Sequence, residues 1–70
     1  MSRDIRIEFG EKVRKVRKQK GLTQEELADR AGLHFTYIGQ VERGKRNPSL
    51  INIHRIVKAL HISISQIFPL

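Results

Sequence analysis

The sequence predicts an all-α domain of five short helices built around a helix-turn-helix. Apolar residues recur at spacings of three and four, and no stretch alternates apolar and polar residues as a half-buried strand does. Glycine and proline fall between the apolar groups, next to residues that start and stop helices well. Seventy residues suit one domain, spanning 1–70 without a repeat or linker. A chain this short buries only about 60% of its unfolded surface, so its core is modest and a second copy would help to stabilise it.

The first helix runs from about Asp4 to Lys20. Phe9, Val13 and Val16 make a narrow apolar stripe, while Lys12, Arg14, Lys15, Lys18 and Lys20 crowd the other face. Gly21 follows the basic last turn, where a left-handed residue commonly ends a helix. The second helix opens on Thr23-Gln24-Glu25-Glu26, a capping box in which a hydroxyl and a carboxylate three residues apart satisfy free backbone N–H groups. Leu27, Ala28 and Ala31 form its inner face, and Gly32 breaks the pattern at a turn that favours positive φ. A third helix, from about His34 to Arg43, has no strong N-cap but has Ile38 and Val41 at helical spacing. Gly44-Lys45-Arg46-Asn47-Pro48 is a loop, because Pro48 forbids continuation. Ser49 caps a fourth helix with Leu50, Ile53, Ile56, Val57 and Leu60 inward. Ser63-Ile64-Ser65-Gln66 reads as another capping box, opening a short fifth helix that Pro69 ends.

Composition narrows the function. The net charge is +7 and the isoelectric point about 10.6, which favours nucleic acid as partner over an anionic membrane surface. The charge is uneven: residues 1–22 carry eight Lys/Arg against three Asp/Glu, whereas residues 23–48 carry four of each. The first helix has too few large apolar residues for a membrane-surface helix. There are no cysteines, no apolar run that crosses a membrane and no signal peptide, so a cytoplasmic protein is expected. His54 and His61 lie seven apart without cysteine or a carboxylate pair nearby, and surface histidines are the plainer reading than a metal site. With two aspartates, no phosphate loop and no nucleophile beside a base, no enzyme and no cofactor are expected.

Two helices joined by a short turn containing glycine, here about residues 23–43, follow the helix-turn-helix plan. Ala28 is small enough for a close helix crossing. If Leu27, Ile38 and Val41 share a core, then His34, Phe35, Thr36, Gly39, Gln40 and Arg43 face outward on the helix that enters the major groove.

Gly21-Leu22-Thr23-Gln24-Glu25-Glu26-Leu27-Ala28, Ala31-Gly32-Leu33, Tyr37-Ile38 and Glu42 to Leu50 together resemble the Cro/C1-type (XRE) helix-turn-helix family, whose domains are lambda-repressor-like. The similarity runs from about Phe9 to Phe68. His34 to Tyr37, Val41 to Gly44 and Ser49 to Ile53 are most similar to controller proteins of restriction–modification systems.

This resemblance implies a sequence-specific transcriptional regulator that binds double-stranded DNA as a homodimer on a palindromic operator and competes with or touches RNA polymerase. Phe35, Thr36 and Gln40 are the implied base readers; Gln pairs bidentately with adenine, and Thr and Phe meet thymine methyls. Phe35 departs from the polar residue usual there, so the operator does not follow from relatives. Gln24, Tyr37, Arg43, Lys45, Arg46 and Asn47 are the implied phosphate ligands. Arg17 and Glu42 match an inter-helix ion pair. Residues 49–70 hold more apolar side chains than a monomer this small buries easily. Ile51, Ile62, Ile64, Ile67 and Phe68 are therefore assigned to a dimer interface. The alternative is an antitoxin-like or protein-interaction module acting through the last two helices.

Overall fold

A computed structural model describes residues 3–68. Four α-helices follow one another: α1 (Ile5–Gln19), α2 (Gln24–Ala31), α3 (Phe35–Glu42) and α4 (Leu50–Ala59). The expected fifth helix is a single 3-10 turn, Ile64–Gln66. Its capping signal is real, since Ser63 N–H donates to Gln66 Oε1 at 3.1 Å. The turn has no room to lengthen. Ile67 swings into the core, and Pro69 has no N–H and disfavours helical geometry in the residue before it.

Each helix begins on a residue that satisfies its free N–H groups. Asp4 Oδ1 accepts from the Arg6 backbone at 2.8 Å. At α2 both halves of the capping box form: Glu26 N–H donates to Thr23 Oγ1 at 3.0 Å, and Thr23 N–H to Glu26 Oε1 at 2.9 Å. Helix α3 is capped by an imidazole, for His34 Nδ1 accepts from Thr36 N–H at 3.1 Å. Ser49 Oγ caps α4 through the Asn52 N–H. Gly32 ends α2 at φ +68°, the left-handed geometry expected of the turn.

The core gathers Phe9 and Val13 from α1, Leu27, Ala28 and Ala31 from α2, Ile38 and Val41 from α3, and Ile56, Val57 and Leu60 from α4 and its end. At the ends of the last helical region, Leu50 and Ile67 depart from the sequence expectation. Leu50, assigned inward, is 78% exposed, because the first turn of α4 projects beyond the packed layer. Ile67, assigned to an interface, is fully buried and closes the core from below.

Gly10, in the middle of α1, marks the tightest crossing. A Cβ there would run into the carbonyl oxygen of Val41 and lie 2.8 Å from that of Glu42. Helix α1 therefore rests directly on the backbone of the end of α3, which sets the height at which α3 stands out of the domain.

Candidate nucleic-acid interface

The exposed side of α3 is held by a buried charge cluster. Arg17 Nε donates to Glu42 Oε2 at 2.6 Å and Arg17 Nη2 to Glu42 Oε1 at 3.0 Å. Arg17 Nη1 donates to the Leu22 carbonyl at 2.7 Å, and Gln24 Nε2 to Glu42 Oε1 at 3.0 Å. Both charged residues are almost wholly out of solvent, and the planar guanidinium grips the carboxylate through two nitrogens. This one cluster ties α1, the loop after it, the start of α2 and the end of α3. The angle between the two helices of the motif is fixed by hydrogen bonds as well as by packing.

Gln24 is thus partly committed. A carboxylate accepts only, so the Gln24 NH₂ group must face Glu42, and one of its two N–H bonds remains for another acceptor. It stands at the N-terminus of α2, where free backbone N–H groups favour an anion.

The first turn of α3 presents Phe35 and Thr36 to solvent. Phe35 is 49% exposed and stacks on His34 with ring centroids 4.8 Å apart. Thr36 is exposed and Gln40, one turn further along the same face, is half-buried. Its Oε1 accepts from Arg46 Nε at 2.7 Å. The Arg46 guanidinium lies 5.5 Å from the centre of the Tyr37 ring, and Tyr37 Oη accepts from Asn52 Nδ2 at 3.1 Å. Arg43, Lys45, Arg46 and Asn47 are all exposed beside this turn. Arg43, Lys45 and Arg46 put three positive charges just past the end of α3, and Arg46 reaches back to Gln40.

Gly39 belongs to a different part of the structure from the one expected. It is buried, and a Cβ there would sit 3.4 Å from Arg43 Nη1 and 3.5 Å from Gln24 Oε1, under other side chains.

The residues assigned to a dimer interface separate into two groups. Ile51 (66% exposed) and Ile64 (49% exposed) share a groove of about 600 Å³ with Leu50, Ile53, His54 and Val57. Ile67 is core, Ile62 is half-buried against the core, and Phe68 stacks on Phe9 with centroids 5.7 Å apart. These three serve the monomer because the 3-10 turn folds back over α1 instead of projecting as a helix.

Sequence spacing assigns no role to Gly10 or Asn52, and it places Leu50 in the core rather than in the exposed groove. A glycine inside an otherwise regular helix is a signal of close approach, and Gly10 carried that signal. The Asn52–Tyr37 bond joins residues far apart in sequence and had no local mark.

A capped, short-turned helix pair with an exposed polar face beside a cluster of cations defines a helix-turn-helix DNA-binding domain. The family model described as "Helix-turn-helix" matches residues 13–67. Control protein C.BamHI of Bacillus amyloliquefaciens is 51% identical over 63 residues, which cover 89% of this chain and 78% of that protein. The crystal structure of the restriction–modification controller protein C.AhdI from Aeromonas hydrophila superposes with a TM-score of 0.88 at 46% identity, covering 90% of this chain and 96% of that one. The controller protein C.Esp1396I, as a tetramer in complex with its natural 35 base-pair operator, superposes with a TM-score of 0.87 at 33% identity, over 96% and 88% of the two chains. The chain belongs to the Cro/C1-type helix-turn-helix family of transcriptional regulators, alongside the restriction–modification controller proteins.

Proposed function

We propose that this protein regulates transcription by binding a palindromic operator as a homodimer, with α3 in the major groove of each half-site. The observation that carries this reading is the face of α3. Thr36, the exposed Phe35 ring and the half-buried Gln40 lie on α3, with the exposed cations Arg43, Lys45 and Arg46 just past its end. Phe35, Thr36 and Gln40 read bases; Gln24, Tyr37, Arg43, Lys45, Arg46 and Asn47 hold phosphates on either flank. The C.Esp1396I complex with its operator supports an oligomer on DNA for a protein of this fold.

The second copy covers the apolar groove of α4. The exposed side chains of Leu50, Ile51 and Ile64 line this groove with the half-buried Ile53, an apolar surface that suits a two-fold contact. Such a dimer sets two recognition helices about 34 Å apart, one helical turn of DNA. Regulation follows from occupying a promoter, where the protein excludes or touches RNA polymerase. The site of action is the cytoplasm, where that DNA lies. No helix of the described residues is long and apolar enough to cross a membrane.

Gln40→Ala tests the assignment of the groove-facing helix. It is expected to lose roughly 1–3 kcal/mol of binding on the selected operator and little on random DNA. Equal loss on both would remove Gln40 from the base readers.

A further inference from the structure

The hydrogen bond between Arg46 and Gln40 changes what Gln40 offers to a base. A guanidinium has donors only, so the atom of Gln40 that meets Arg46 Nε must be the amide oxygen. That fixes the amide orientation: one lone pair of Oε1 is engaged, and the NH₂ group makes no hydrogen bond among the described residues. An unengaged glutamine shows one acceptor and one donor, which complements the N6 amine and N7 of adenine. With one of its two oxygen lone pairs taken by Arg46 and the guanidinium crowding that atom, Gln40 offers chiefly its NH₂ donors. The remaining nitrogens of Arg46 are donors as well.

An edge dominated by donors, those of the Gln40 amide and those left on Arg46, best complements a base that shows only acceptors. In the major groove that base is guanine, through O6 and N7. Arg46 is also restrained from the other side. Its guanidinium lies over the Tyr37 ring, 5.5 Å from the centroid, and Tyr37 is held by the Asn52 amide. The chain Asn52–Tyr37–Arg46–Gln40 thus runs from the start of α4 to the middle of the recognition helix. Each link is polar or cation–π, and none belongs to the core.

We propose that Gln40 and Arg46 act as one composite reader that selects guanine, with Arg46 as a specificity-determining residue beyond its charge. The proposal rests on the reading of α3 as the groove-facing helix and moves Arg46 from the phosphate ligands assigned above to the base edge. Its rival is that Arg46 leaves for a phosphate on binding and frees Gln40 to take adenine.

The test selects sites from pools of random DNA duplexes with the full-length protein and its Gln40→Ala, Arg46→Ala and Lys45→Ala variants, followed by titrations on duplexes carrying each base at the chosen position. That position is the one whose preference disappears in Gln40→Ala. Wild type is expected to prefer guanine there by roughly 5- to 150-fold, the range of one good bidentate contact. Arg46→Ala is expected to convert the preference to adenine. Lys45→Ala is expected to weaken every duplex alike and leave the preference intact, which separates loss of charge from loss of the pair. Adenine in the wild-type motif, or guanine retained by Arg46→Ala, would overturn the composite reader while leaving the groove-facing helix in place. A folded wild type that selects no motif, or a Gln40→Ala variant that alters no position, would overturn the underlying reading and the composite reader with it.

Discussion

Arg17 and Glu42 form a two-nitrogen ion pair at 2.6 and 3.0 Å, buried between α1 and the last residue of the recognition helix. A pair of this kind gains little over apolar residues of the same volume, but breaking one side leaves a charge with no partner in a dry site. Glu42→Ala is therefore expected to cost about 3–5 kcal/mol in urea denaturation. A domain of this size has roughly 4–10 kcal/mol in all. The double variant Arg17→Met/Glu42→Met leaves no orphaned charge and is expected to be more stable than Glu42→Ala. A loss below about 1 kcal/mol for Glu42→Ala would place the pair with surface bridges.

Gly10 and Gly39 lie in helices and should respond to alanine with opposite signs. At Gly10 the added methyl meets two backbone carbonyls, which cannot turn aside, so α1 and α3 must move apart. Overpacking of this sort costs about 1–3 kcal/mol, more than the helix propensity that alanine gains. At Gly39 the neighbours are the ends of Arg43 and Gln24 at ordinary contact distance. Gly39→Ala is expected to raise stability by up to about 1 kcal/mol. Thermal melts of the two variants decide it, and destabilisation at Gly39 equal to that at Gly10 would contradict the account.

Two caps give stability an acid limb. Asp4 is lowered to about 2 by the Arg6 guanidinium, with help from the Arg6 backbone N–H. Glu26 lies below its usual range because the Thr23 backbone N–H, and then its hydroxyl, bond to it. Carboxylates depressed in the folded state stabilise it above their ordinary value of ~4 and lose that contribution as pH falls through the folded value. The melting temperature is thus expected to decline from about pH 4 towards pH 2. Glu26→Gln keeps an acceptor for the Thr23 N–H without a titrating group, so its decline should be shallower. An acid limb unchanged in that variant would exclude Glu26 as a source.

The groove on α4 and the end of the chain make separable predictions for assembly. Ile51→Asp places a charge in the exposed groove and is expected to give a folded monomer in sedimentation where wild type is dimeric. Phe68→Ala removes the ring stacked on Phe9 and should lower the melting temperature without a comparable effect on assembly. Wild type that sediments as a monomer at high concentration would remove the dimer.

Much of this was legible in the sequence because the signals were local. Thr23 and Glu26, Gly32, Ser49 and Pro48 mark boundaries through chemistry within four residues, and those boundaries appear within a residue or two. His34 as a cap was missed because imidazole is an uncommon acceptor at that position. The ends of the core were harder. Apolar spacing cannot say whether Leu50 or Ile67 lies inside, since that depends on where the chain turns after α4. The capping pattern at Ser63 was sound, but a local start signal does not guarantee length. The Arg46–Gln40 and Tyr37–Asn52 bonds depend on how the loop before α4 folds back, which no spacing rule conveys.

The central claim is specific dimeric binding through α3. Selection of sites from random duplexes by the purified protein, at about 150 mM salt so that plain charge attraction is screened, tests it most directly. A palindromic motif is expected, with half-sites about one helical turn apart and its strongest positions dependent on Phe35, Thr36 and Gln40. Enrichment of no motif by protein shown to be folded would contradict it and turn attention to a protein partner on the α4 groove.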